Sequence, residues 1–74
     1  MKDPYAVAFG LVIRDLRIKK NLSQEAFADL AGVDRSYMGR IERGEKNITL
    51  AKIYEVCGAL GMTPAQVFQR IDIK

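Results

Sequence analysis

Apolar positions recur at helical spacing along the whole chain, and capping residues divide them into five helices. Phe9, Val12, Ile13 and Leu16 stand at i, i+3, i+4 and i+7, the spacing of one helix face. Asp3-Pro4 opens that helix, with Asp as N-cap and Pro at the first helical position. It runs to about Lys20, where Lys19 and Lys20 suit the negative end of the helix dipole. Gly10 weakens it by roughly 1 kcal/mol relative to alanine and marks a close packing contact. Ser23 caps a second helix that reaches about Ala31, with Phe27, Leu30 and Ala31 expected inward and Ala28 small enough for a closely crossing neighbour. Gly32 is the left-handed residue that ends it, and Val33 is expected to be buried in the turn.

Asp34 caps a third helix that ends at Gly44, its inward side being Met38, Ile41 and part of Tyr37. Glu45 to Ile48 read as a polar loop. Thr49 caps a fourth helix, ended by Gly61, with Leu50, Ile53, Cys57 and Leu60 as its core face. Thr63-Pro64-Ala65-Gln66 combines an N-cap, a proline at the first position and a capping-box glutamine. The fifth helix so started carries Val67, Phe68 and Ile71. With no alternating strand pattern, repeat or linker, the expectation is an all-α, compact five-helix domain covering 1–74.

Composition narrows the function. Seventy-four residues lie near the lower limit for a self-sufficient core. The 49% hydrophobic content nevertheless indicates a folded chain. Cys57 is the only cysteine, so stability must come from helix packing, helped by dimerisation. Its place on a core face predicts a structural thiol rather than a redox switch. Histidine is absent, so no metal-ligand cluster can be assembled. No glycine-rich phosphate loop or catalytic constellation is evident either. An enzyme is not expected, nor a metal, a cofactor or a small-molecule ligand. No run approaches the ~20 apolar residues of a membrane span, and the N-terminus lacks the order of a signal peptide. The expected location is the cytoplasm.

The net charge of +3 is modest, so the distribution of charge matters more than its total. The informative stretch is 24–44, QEAFADLAGVDRSYMGRIERG: two short helices joined by a tight turn, the second presenting Arg35, Ser36 and Arg40 outward. Such a helix suits the major groove of double-stranded DNA. Arg35 stands at the N-terminal end, the end that enters the groove, and a guanidinium can bond guanine O6 and N7 together. Ser36 can bond a base or a phosphate, and Arg40 lies on roughly the same side. Gly39 lies between them without a side chain, so either one contact is missing or the helix approaches DNA closely. Asp34 is expected to cap, not to read. Tyr37 can offer its hydroxyl to a phosphate while its ring packs. Arg43, Lys46 and Asn47 cluster at the end of the reading helix and are expected to hold the DNA backbone. Phe68, Ile71 and Ile73 are more apolar residues than a small monomer needs at its end. They are expected to form a dimer surface within 64–74; the compatible alternative is that Phe68 and Ile71 finish the monomer's own core.

Much of the chain, LRIKKNLSQEAFADLAGVDRSYMGRIERGEKNITLAKIYEVCGALG, resembles the Cro/C1-type (XRE, phage-repressor-like) helix-turn-helix family. The specific parts are Leu16-Arg17, the Ser23-Gln24-Glu25 start and Ile41-Glu42-Arg43-Gly44. The wording Asp34-Arg35-Ser36-Tyr37 and Asn47-Ile48-Thr49-Leu50 looks most like the controller proteins of restriction–modification systems. The resemblance implies a lambda-repressor-like fold and a homodimer on a pseudo-palindromic operator. It makes Ser36 and Arg40 base-reading positions and Gln24 a phosphate anchor, with Ser23 beside it. It pairs Arg17 with Glu42 as a structural ion pair. It also sets Glu25 and Asp29 where related activators present acids to RNA polymerase. The plainer alternative is that Glu25 complements the helix dipole and Asp29 is ordinary surface. Through DNA the protein would be associated with a bacterial or phage nucleoid. An antitoxin-type autoregulator and an interaction module that has lost DNA binding are the competing functions. The arginines at 35, 40 and 43 argue against the latter.

Overall fold

The computed structural model describes residues 3–71. The elements are α1 (Pro4–Lys19), α2 (Gln24–Ala31), α3 (Arg35–Glu42), α4 (Leu50–Ala59) and α5 (Pro64–Phe68). Among the described residues there is no strand, and no helix is long and apolar enough to cross a membrane. Each helix starts on the residue marked for it. Asp3, Ser23, Asp34, Thr49 and Thr63 all accept a backbone N–H from the first turn they precede, satisfying donors that a helix start leaves without partners. Thr63 and Gln66 complete a reciprocal capping box. Gly32 ends α2 in the left-handed region at φ 73°. Asn21, in the connector after α1, also takes positive φ, at 58°. Asparagine tolerates that conformation better than most residues.

Helix α1 packs on α3 and α5, α2 on α3 and α4, and α4 on α5. Phe9, Ile13, Leu16, Phe27, Ala28, Ala31, Met38, Ile41, Val56, Cys57, Leu60 and Val67 form the buried core. Val12, Val33 and Tyr37 are partly buried and pack against it. Three expectations need correction. Leu30 is not inward but 62% exposed; α2 already buries Phe27, Ala28 and Ala31, and Leu30 falls outside the arc they define. Leu50 is not a core residue but 70% exposed. It is the first residue of α4, about two turns before the buried Val56 and Cys57 although on nearly the same face as Cys57, and the core is filled from the far end of the helix, where Val56 takes the place expected of Leu50. Ile71 does not belong to the fifth helix, which stops at Phe68 with Gln69 as its C-cap; it is half-buried beyond the end.

Gly10 sets the approach of α1 to α3. A Cβ there would fall against the backbone carbonyl oxygens of Ile41 and Glu42, the latter at 2.7 Å. Backbone atoms cannot give way as a flexible side chain can. Gly10→Ala should therefore destabilise the domain by about 1–3 kcal/mol through overpacking, against its favourable helix propensity. Urea unfolding checks this: a neutral or stabilised variant would mean that the helices are not in close contact there.

Candidate nucleic-acid interface

Two polar anchors fix the helix pair. Arg17 Nε donates to Glu42 Oε2 at 2.7 Å and its Nη2 to Glu42 Oε1 at 3.1 Å. Its Nη1 donates to the Leu22 carbonyl at 2.9 Å. Gln24 Nε2 donates to Glu42 Oε1 at 3.1 Å. One buried carboxylate thereby joins α1, the first residue of α2 and the end of α3. No buried side-chain polar atom among the described residues lacks a hydrogen-bond partner, so the charge is buried at tolerable cost.

The outward side of α3 has a different character. Arg35, Ser36 and Arg40 are exposed, and among the described residues none of their side chains enters a hydrogen bond or ion pair. Asp34 accepts the Tyr37 N–H at 2.7 Å; this cap uses the carboxylate to start the helix. Tyr37 is half-buried, with Lys46 Nζ 5.3 Å from its ring centroid, a cation–π distance. Lys46 is thereby held beside the start of α3. Arg43 is the α3 C-cap and its Nε meets Glu45 Oε1 at 3.1 Å. Asn47 is exposed in the loop before α4. Ser23 uses its hydroxyl to cap Ala26, which leaves its backbone as the group that can face an anion. Gln24 is already engaged with Glu42, an orientation the sequence did not reveal.

The other named residues lie elsewhere. Glu25 and Asp29 are exposed along α2, one turn apart and unpaired among the described residues. Phe68 is 45% exposed, and its ring meets Phe9 edge-on at 6.0 Å between centroids. It thus shares itself between core and surface. With Ile71 it lines an apolar cleft of about 370 Å³ that also takes in Tyr5, Phe9, Ile48 and Ile53. Ile73 lies outside the described residues. Cys57 is fully buried on α4, and desolvation pushes its thiol pKa above the usual range, as for an inert structural cysteine.

Helices α2 and α3, joined by a left-handed glycine turn and backed by three others, define a helix-turn-helix protein. The chain belongs to the helix-turn-helix family HTH_3, whose model matches residues 13–68. It is 36% identical over 67 residues to the control protein C.MunI from Mycoplasma sp, covering 89% of this chain and 90% of that protein. It is also 36% identical over 62 residues to the control protein C.SmaI from Serratia marcescens, covering 84% and 74% respectively. Among solved structures, the restriction-modification controller protein C.AhdI from Aeromonas hydrophila superposes with a TM-score of 0.85 at 44% identity, covering 89% of this chain and 100% of that one. The protein is a transcriptional regulator of the helix-turn-helix type.

The buried pair generates a contrast with the surface. Arg17→Ala leaves the Glu42 carboxylate buried and without its main partner, and should cost about 3–5 kcal/mol. Glu55→Ala, which breaks the exposed contact with Lys52 at 3.1 Å, should cost less than about 1 kcal/mol. Equal losses in urea unfolding would contradict the structural weight given to Arg17 and Glu42.

Proposed function

We propose that the protein is a homodimeric, sequence-specific regulator that binds double-stranded DNA at a pseudo-palindromic operator, in the role of a restriction–modification controller. The observation that carries this reading is the division of charge. Arg17 is consumed inside the fold, whereas Arg35 and Arg40 stand exposed on the outer side of α3, unpaired among the described residues. Guanidiniums on one helix face without a protein partner have no role in holding the monomer together, and their paired N–H donors match the two acceptors, O6 and N7, that guanine presents in the major groove.

Two energetic terms operate in this reading. Ser23, Gln24, Tyr37, Arg43, Lys46 and Asn47 bind the phosphate backbone, release counterions and give a salt-dependent affinity. Arg35, Ser36 and Arg40 select the sequence. The single domain, 1–74, has a longest dimension of 31 Å across the described residues. Two copies related by a two-fold axis can therefore set their reading helices about one DNA turn, ~34 Å, apart. The apolar end at Phe68 and Ile71 is the pairing surface, with Ile73, two residues further along the sequence, the third apolar residue assigned to it. Glu25 and Asp29, both exposed and unpaired among the described residues, are the surface offered to RNA polymerase when the regulator activates. The work is cytoplasmic, on nucleoid DNA.

The division of labour between readers and phosphate binders is directly testable. Arg35→Ala should lose about 1–3 kcal/mol of discrimination at one base pair per half-site and relax specificity there. Lys46→Ala should weaken all duplexes alike and lower the salt slope by about 1 per site. Binding titrations against operator and mismatched duplexes at several salt concentrations distinguish the two. Uniform loss in both variants would overturn the assignment.

A further inference from the structure

Gly39 lies on the outward arc of α3 between Arg35 and Arg40, yet it is buried. What covers it comes from two other side chains. A Cβ at position 39 would sit 3.0 Å from Arg43 Nη1, 3.7 Å from Arg43 Cζ and 3.5 Å from Gln24 Oε1. Arg43, though placed at the C-cap, thus lies back along α3 over the preceding turn, the direction in which helical side chains lean. Glu45 holds its Nε at 3.1 Å. Gln24 is held from its other side, where Nε2 donates to Glu42 at 3.1 Å. The tips of two side chains from different helices therefore converge over one glycine.

We infer that Gly39 is a positioning residue: its bare surface lets the Arg43 guanidinium fold back beside Gln24, so that the two side chains grip one DNA phosphate as a single clamp. This rests on the DNA-binding reading above and adds to it a shared target for two residues otherwise treated separately. Glu42 takes one N–H of the Gln24 amide and turns its Oε1 toward position 39, so the remaining amide N–H is the donor Gln24 offers, while Glu45 holds Arg43 Nε and leaves the terminal guanidinium nitrogens to the phosphate. Guanidinium and phosphate match in charge and donor geometry. An alanine Cβ at 39 would press on the guanidinium tip at 3.0 Å and push it a few tenths of an ångström out of the position it shares with Gln24. The competing account, that glycine is needed only for close approach of the DNA, predicts a loss that does not depend on Arg43.

A double-mutant cycle on the operator separates the two. Gly39→Ala should weaken binding about fivefold and Arg43→Ala about twentyfold, in line with the loss of a charge-assisted hydrogen bond. In the Arg43→Ala background, adding Gly39→Ala should change affinity less than about twofold, since coupled sites are not additive. Gly39→Ala should melt no lower than the parent, because alanine favours a helix interior. A scan with single neutral methylphosphonates should find one phosphate per half-site whose neutralisation costs the parent most, and costs the Gly39→Ala, Arg43→Ala and Gln24→Ala proteins much less. An equal Gly39→Ala loss in both backgrounds, or different phosphates sensed by Arg43 and Gln24, would overturn the clamp while leaving the DNA-binding reading intact. A parent that binds no duplex would overturn that reading and the clamp with it.

Discussion

The Glu42 carboxylate is the point on which the rest of the molecule turns. It is 4% exposed, and its burial is tolerated because Arg17 meets it with two donors and Gln24 with a third. The same arginine ties down the Leu22 carbonyl in the connector. A single buried charge thereby fixes the angle of α3 to α1 and orients the first residue of α2. Apolar packing alone would hold these helices together with some freedom to slide. Directional bonds at a site where any unpaired group is costly remove that freedom. Gly10 closes the remaining degree of freedom by bringing the α1 backbone onto the last turn of α3.

Rigidity of this kind matters because reading DNA is a matter of register. A guanidinium that must meet two acceptors on one base tolerates little displacement. The fold divides its cations accordingly. Arg17 stabilises the frame, Lys46 and Arg43 are steered by Tyr37 and Glu45, and Arg35 and Arg40 stand exposed on the outer side of α3 with no partner among the described residues. In so small a domain, the apolar surface left at α4 and α5 completes the logic. Pairing would bury what the monomer leaves exposed and duplicate the reading helix about a two-fold axis.

The helices were legible because local chemistry specifies them. Asp3, Ser23, Asp34, Thr49 and Thr63 announce their helix starts, and a cap depends on only three or four neighbouring residues. Which face a residue takes was less legible where the apolar supply exceeds the buried arc. Leu30 and Leu50 look like core residues by type, but neighbouring elements decide which of several apolar side chains the core receives, and Val56 was passed over for that reason. The end of α5 was overrun because Ile71 keeps helical spacing after the helix has stopped. At the candidate interface, exposure of Arg35, Ser36 and Arg40 follows from helix geometry. The meeting of Arg17 with Glu42 does not, since nothing in their spacing brings positions 17 and 42 together; only resemblance pointed to it. The engagement of Gln24 by Glu42 and the folding of Arg43 over Gly39 are tertiary facts with no local signature.

The most direct test of the account is selection of bound duplexes from a random pool at moderate salt, followed by sequencing. A symmetric motif should emerge, with half-sites centred about one helical turn apart, ~10 base pairs, and with guanine prominent in each half. A folded protein that enriches no sequence, or one that enriches a single unrepeated half-site, would contradict a dimeric reader of a two-fold operator.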